Sequence, residues 1–189
     1  MPAAKRKAPA KTSKRSKPQP AAKATAPAEA GPRLLREGDA APDVALWDQD
    51  GKPFRLSDFR GRRVVLYFYP ADMTSGCTAQ ACEFNEALPQ YEAQDAVVIG
   101  VSPDDAASHR KFIAKHGLRF PLAYDPSNKA LEAFGVWQQK AMYGRTYMGV
   151  VRSTFVLSPE GVVERAMYRV KPQGNAAEVL AALREAASA

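Results

Sequence analysis

Cys77 and Cys82 are the only two cysteines among 189 residues, and their setting points to redox chemistry. They follow the apolar run Val64-Val65-Leu66-Tyr67-Phe68-Tyr69, which Pro70 ends, and they lie in a stretch with helical spacing. A helix N-terminus carries unpaired N–H groups and a partial positive charge, so a sulfur placed there is favoured as the nucleophilic thiolate. A second thiol close by suits a cysteine that is oxidised and then rescued as a disulfide. Thr74, three residues before Cys77, carries a hydroxyl that donates and accepts at once. Such a group suits a small substrate with both a hydroxyl and an oxygen lone pair.

Apolar spacing predicts a helix from about Ser75 to Gln94, with Cys77, Ala81, Phe84, Leu88 and Tyr91 on one face and Pro89 as a kink or an early end. At ~1.5 Å rise per residue, positions 77 and 82 of an intact helix have Cα atoms about 8–9 Å apart on different faces. A disulfide needs roughly 4.4–6.8 Å. The bridge therefore requires the start of the helix to unwind: helical when reduced, locally melted when oxidised. The plain alternative is that both cysteines are small apolar core residues. The strand–Pro–loop–helix setting, Thr74 and the nearby basic residues weigh against it.

The elements around this point read as an alternation. Ala96–Val101 is a second buried strand. Ser102-Pro103-Asp104-Asp105 starts a helix that ends at His116-Gly117. A short strand at Phe120–Tyr124 and a short helix at Ser127–Phe134 follow, then a hairpin of Ser153–Leu157 with Val162–Val170, and a closing helix over Asn175–Ala187. Val44–Trp47 and Phe54–Leu56 form a smaller opening hairpin. The expected class is α/β: a thioredoxin-like fold, its mixed central β-sheet flanked by helices, with an N-terminal β-hairpin extension.

Charge divides the chain. Residues 1–30 carry eight Lys or Arg against the single acid Glu29, a net of +7, whereas the remaining 19 basic and 19 acidic residues cancel. This segment has no aromatic, Leu, Ile or Val residue to bury. The expected organisation is a disordered Lys/Ala/Pro-rich tail over 1–31 and one domain over 32–189. No run reaches the ~20 apolar residues of a membrane span, and no apolar stretch marks a secretory signal. An Ala- and Lys-rich, acid-poor leader is also compatible with an organelle transit peptide. Two cysteines are too few for a disulfide scaffold and, with His109 and His116, make a poor zinc site. A reducing, cytoplasmic setting is expected. The clusters Lys5-Arg6-Lys7 and Lys14-Arg15-x-Lys17 would suit nuclear import in a eukaryote. The tail's cations also suit non-specific, salt-dependent contact with DNA.

Phe68-Tyr69-Pro70-x-x-x-Thr74-x-x-Cys77 is similar to the active-site motif of the peroxiredoxins. Cys82 at the fifth position after it resembles the resolving cysteine of the Q-type, or bacterioferritin comigratory protein, subgroup. Tyr143 to Phe155 (YGRTYMGVVRSTF) resembles that subgroup's second signature. The resemblance spans residues 33–187 and implies a thioredoxin-dependent thiol peroxidase acting on hydrogen peroxide and organic hydroperoxides. Under it, Cys77 attacks the peroxide, Pro70 shields the sulfur, Thr74 holds the peroxide, and Arg152 stabilises the ionised sulfur and the charge on the breaking O–O bond. Cys82 then forms an intrachain disulfide that a thioredoxin-like dithiol reduces. The resemblance implies no metal, flavin or haem, no membrane, and a monomer. Ser158 departs from the subgroup, which has Asp at that turn.

Other residues read less sharply. Arg145 is a loop residue that either salt-bridges or meets the reductase. His109 and His116 belong to a solvated Lys/Arg-rich helix face. Trp137 and Tyr143 lie in a loop, as core or as active-site wall. Two other function classes compete: a disulfide oxidoreductase or redox sensor on the same fold, and a nucleic-acid-binding protein with structural cysteines.

Overall fold

The structure, a computed structural model, describes residues 33–188. The disorder expected of residues 1–31 lies outside that range. A seven-stranded mixed sheet forms the centre, ordered β2-β1-β5-β4-β3-β8-β9. Its strands are β1 (Ala45–Asp48), β2 (Pro53–Arg55), β3 (Arg63–Phe68), β4 (Ala96–Val101), β5 (Leu122–Tyr124), β8 (Ser153–Leu157) and β9 (Val163–Tyr168). β4 runs parallel to β3 and to β5, while β8 runs antiparallel to β3 and to β9. This is the mixed α/β sheet that the alternating pattern predicted.

β3 is apolar on both faces because both are covered. Val65 and Tyr67 point to a core that includes Phe84 and Tyr91 of α1 (Ser75–Glu92), Phe112 of α2 (Ala106–His116), and Val179 and Leu183 of α4 (Asn175–Ser188). Val64, Leu66 and Phe68 point to a second core that includes Leu131 of α3 (Lys129–Ala133), Phe134 and Phe155. The α1 face expected from the spacing is the one buried. Pro89 does not end the helix, which runs on to Glu92. The carbonyl that proline leaves without a helical donor belongs to Asn85, and it accepts from Arg119 Nη2 at 3.0 Å.

Three expectations are corrected. Residues 137–150 are a hairpin, not a loop: β6 (Trp137–Met142) pairs with β7 (Arg145–Val150) through a tight turn in which Tyr143 and Gly144 have φ of 51° and 75°. Two consecutive positive φ values match the right-handed twist of a two-residue hairpin, and glycine takes one without strain. Tyr143 is 96% exposed at that tip, so it belongs to neither the core nor an active-site wall, whereas Trp137 packs on the second core. His109 is fully buried, because it shares the inner face of α2 with Phe112, three residues on. The departure at Ser158 is harmless: its Oγ accepts from the Glu160 and Val162 N–H groups and closes the β8–β9 turn.

Candidate active site

β3, an inner strand, delivers Tyr69 and Pro70 just past its C-terminal end, and the loop Pro70–Thr74 turns the chain into α1. Thr74 is the N-cap, extended at φ −74° and ψ 150°, and its carbonyl accepts the Thr78 N–H at 2.8 Å. Its side chain is exposed, and its hydroxyl donates to the Ala71 carbonyl at 3.2 Å. Cys77 therefore sits in the first turn of α1, as the spacing required. It is 1% exposed. Cys82 is half-buried about 1.4 turns further along the same helix, and both are free thiols.

Arg152, just ahead of β8, reaches the sulfur. Its Nη2 donates to Cys77 Sγ at 3.2 Å and its Nη1 to Gln80 Oε1 at 2.5 Å. Guanidinium only donates, so Gln80 must present its oxygen to Arg152 and its amide to the other side. There Gln80 Nε2 donates to Asn175 Oδ1 at 2.9 Å, and Thr154 Oγ1 donates to the same oxygen at 2.8 Å. The planar cation is thus held in one orientation by a buried chain running from α1 to the start of α4. Gly76 lies beside it, and the neighbour a side chain there would crowd is Pro172, whose Cγ would stand 3.3 Å from an added Cβ, while Arg152 Nη2 at 3.6 Å would be in ordinary contact. Sequence reasoning missed Gln80 and Asn175. Gln80 was in view at i+3 from Cys77, on the same helix face; nothing in the sequence marked Asn175.

Three more side chains shape the surroundings of the sulfur. Lys140 and Arg169 line a cleft of about 400 Å³ with Arg152. Burial and the neighbouring Arg152 charge hold the Lys140 ammonium below the usual lysine range, and its Nζ donates to the Val150 carbonyl at 2.6 Å. Beneath Cys77, burial pushes the Tyr67 phenol well above its usual range, so it stays neutral; its hydroxyl is buried with no hydrogen-bond partner. Arg145 is exposed on β7. Among the described residues no three His, Cys, Asp or Glu side chains are placed to hold a metal ion.

A buried thiol at a helix start, bonded by a fixed guanidinium, faces a partial positive charge from the helix and a full one from Arg152. Residues 37–166 match the AhpC/TSA family. The chain belongs to that family. It is 45% identical to Peroxiredoxin Bcp of Bacillus subtilis over 148 residues, covering 78% of this chain and 94% of that one. Among solved structures of the family, it superposes on the Xanthomonas campestris bacterioferritin comigratory protein with a TM-score of 0.75 at 42% identity, covering 82% of this chain and 98% of that one. That protein's structures are trapped intermediate and ligand complexes bearing on its alkyl peroxide reduction. A Xylella fastidiosa PrxQ variant superposes with a TM-score of 0.78 at 38% identity, covering 82% of this chain and 99% of that one. The resemblance to Q-type peroxiredoxins read from Pro70, Thr74, Cys77 and Cys82 is borne out, and the thioredoxin-like fold with it.

Proposed function

We propose that Cys77 is the peroxidatic residue of this thiol peroxidase, Cys82 its resolving partner, and Arg152, Thr74 and Pro70 the groups that prepare the reacting sulfur. The Cys77 thiolate attacks the nearer oxygen of hydrogen peroxide or an organic hydroperoxide. An S–O bond forms, the O–O bond breaks, and the departing oxygen takes a proton and leaves as water or alcohol. Arg152 donates to the attacking sulfur and faces the charge that grows on the breaking bond; donors fixed in advance towards developing charge are commonly the largest catalytic contribution. Thr74 orients the peroxide at the helix start, and Pro70 keeps bulk water off the sulfur. The first turns of α1 then unwind. Cys82 attacks the Cys77 sulfenic acid, an S–S bond forms and water leaves. A thioredoxin-like dithiol returns both sulfurs to thiols and is itself oxidised. That cycle suits the reducing cytoplasm, where both stay reduced between turnovers.

The single observation that carries this reading is the Arg152–Cys77 bond of 3.2 Å at the first turn of α1. Rapid mixing with peroxide tests it. The wild type should oxidise orders of magnitude faster than a free thiol, Cys77→Ser should not react, and Cys82→Ser should react but stop at the sulfenic acid. A wild-type rate equal to that of free cysteine, or a disulfide between two chains, would sink it.

The segregation of charge, +7 in residues 1–30 and none in the rest, supports a second, independent role for that segment: salt-dependent contact with DNA, which would keep the peroxidase near it. Comparing the full chain with residues 31–189 at low salt decides this, since equal affinity for DNA would remove the role.

A further inference from the structure

Asp72 lies inside the motif, at one of the positions the motif leaves open, yet it is among the most thoroughly bonded side chains of the molecule. Tyr69 Oη donates to its Oδ1 at 2.7 Å, Ser108 Oγ donates to its Oδ2 at 2.7 Å, and His109 Nδ1 is hydrogen-bonded to that same oxygen at 2.8 Å. Its backbone N–H donates to Asp104 Oδ2 at 2.5 Å, and Ser102 Oγ donates to that same oxygen at 3.3 Å. The other ring nitrogen of His109, Nε2, lies 3.1 Å from the Ala123 carbonyl of β5. Both nitrogens of His109 thus face oxygens, one of the Asp72 carboxyl and one of the β5 backbone, and the ring is held between them. The two side chains are 2% and 0% exposed.

A buried, hydrogen-bonded polar pair gives little net stability over an apolar pair of the same shape, so its presence calls for another explanation. The loop supplies one. Met73, next to Asp72, has φ of 61°, a left-handed conformation that a residue with a Cβ keeps only when its surroundings impose it. Thr74 follows directly. The bonds of Asp72 run to α2 and to the segment after β4, and those of His109 to β5; none involves residues 75–82, the part of α1 that must unwind.

We propose that the Asp72–His109 pair is a positioning clamp: it fixes the Pro70–Thr74 loop for attack by Cys77 on peroxide, and it stays closed while α1 unwinds to form the disulfide. Asp72 and His109 are positioning residues, acting through the backbone that carries Thr74. The inference rests on the assignment of Cys77 and Cys82 above.

Clamp and general scaffold make different kinetic demands. Asp72→Asn and His109→Gln should each slow Cys77 oxidation by peroxide about tenfold or more, as misplacement of a reacting group does. The double variant should be no slower than Asp72→Asn alone, and disulfide formation, timed separately by quenching and mass spectrometry, should keep the wild-type rate. Ser108→Ala, which removes one donor and leaves the pair, should slow the same step by a smaller factor. Oxidation at the wild-type rate in these variants, or both steps changing together, would overturn the clamp. Should the buried variants fail to fold, hydrogen exchange on the wild type decides. The Asp72 and His109 amides should stay protected in both the reduced and the disulfide form while residues 77–82 lose protection; loss of protection at Asp72 on oxidation counts against the proposal. A wild type that oxidises no faster than free thiol would instead end the peroxidase reading and leave the clamp without a reaction to serve.

Discussion

The start of α1 is held from two sides, and the two holds are built differently. Behind the helix, Arg152 grips Cys77 and Gln80 directly, and Gln80 passes the load to Asn175. In front of it, Asp72 grips nothing that reacts; its bonds run to Tyr69, Ser108, His109 and Asp104. In the proposed cycle the rear hold is given up in every turnover, because a disulfide between Cys77 and Cys82 cannot form on an intact helix. The front hold need never open. One site thus combines a releasable contact with the chemistry and a permanent anchor for the backbone beside it. A catalytic cysteine that must move needs both.

The sharpest way to break this contrast is at Arg152. Arg152→Met removes the donor to the sulfur, leaves Gln80 Oε1 without its cation, and takes away the group facing the developing charge. Removal of one such preorganised donor costs about 10²–10³ in rate. Cys77 oxidation should fall by that much, as read by rapid mixing with hydrogen peroxide. Arg152→Lys should recover little of it, because an ammonium is a single point charge and cannot bond Sγ and Oε1 in a fixed fork.

Acid tests the front hold. Burial by itself would raise the Asp72 carboxyl, but the bonds from His109, Tyr69 and Ser108 outweigh it and hold the group below the ordinary value of 3.8. A carboxylate depressed on folding gives stability that is complete above its unfolded value and disappears as pH falls through the folded one. The wild type should therefore be more stable than Asp72→Asn at pH 7, by about 1.5–3 kcal/mol for hydrogen bonds to a charged group. The gap should close as the solution is taken below pH ~4. Urea midpoints of the two proteins across that range measure it. A gap that persists unchanged into acid would show that Asp72 acts by shape and not by charge.

How much of this could be read beforehand follows from range. β3, α1 and the placement of Cys77 were legible because each rests on local pattern: an apolar run, a 3.6-residue stripe, a proline at the strand's end. That Arg152 would meet Cys77 could be expected from the two segments that resemble the family, and the structure brings the two together. Asn175 was not legible, since it meets Gln80 across 95 positions of sequence and only the packing of α4 on α1 brings the two together. His109 was misread for a related reason. It sits beside Arg110 and Lys111, so composition made its helix face look wet, although the three-residue step to Phe112 already marked the inner stripe. The β6–β7 hairpin escaped because it lies apart from the main sheet and β7 is mostly exposed, so burial imposes no alternation on its residues.

Gln80→Met gives the smallest effect and the most pointed comparison with the front anchor. Methionine fits the buried space approximately and keeps the helix, but it accepts no bond from Arg152 and donates none to Asn175. The guanidinium keeps its bond to Cys77 and loses its second fixed point, so peroxide attack should slow, by less than tenfold. The same change removes part of what the first turns of α1 lose on unwinding. A hydrogen bond to a charged group contributes about 1.5–3 kcal/mol, and recovering about half of it corresponds to a several-fold gain in rate. Disulfide formation should therefore speed up several-fold in Gln80→Met while it stays constant in Asp72→Asn. The fraction of Cys77 driven on to sulfinic acid at high peroxide should fall accordingly, because a faster resolving step leaves less sulfenic acid for a second oxidation. Mass spectrometry of Cys77 after a peroxide pulse reads that fraction. If Gln80→Met and Asp72→Asn moved it alike, the two holds would be one structure, and the division between a releasable and a permanent side of the site would fail.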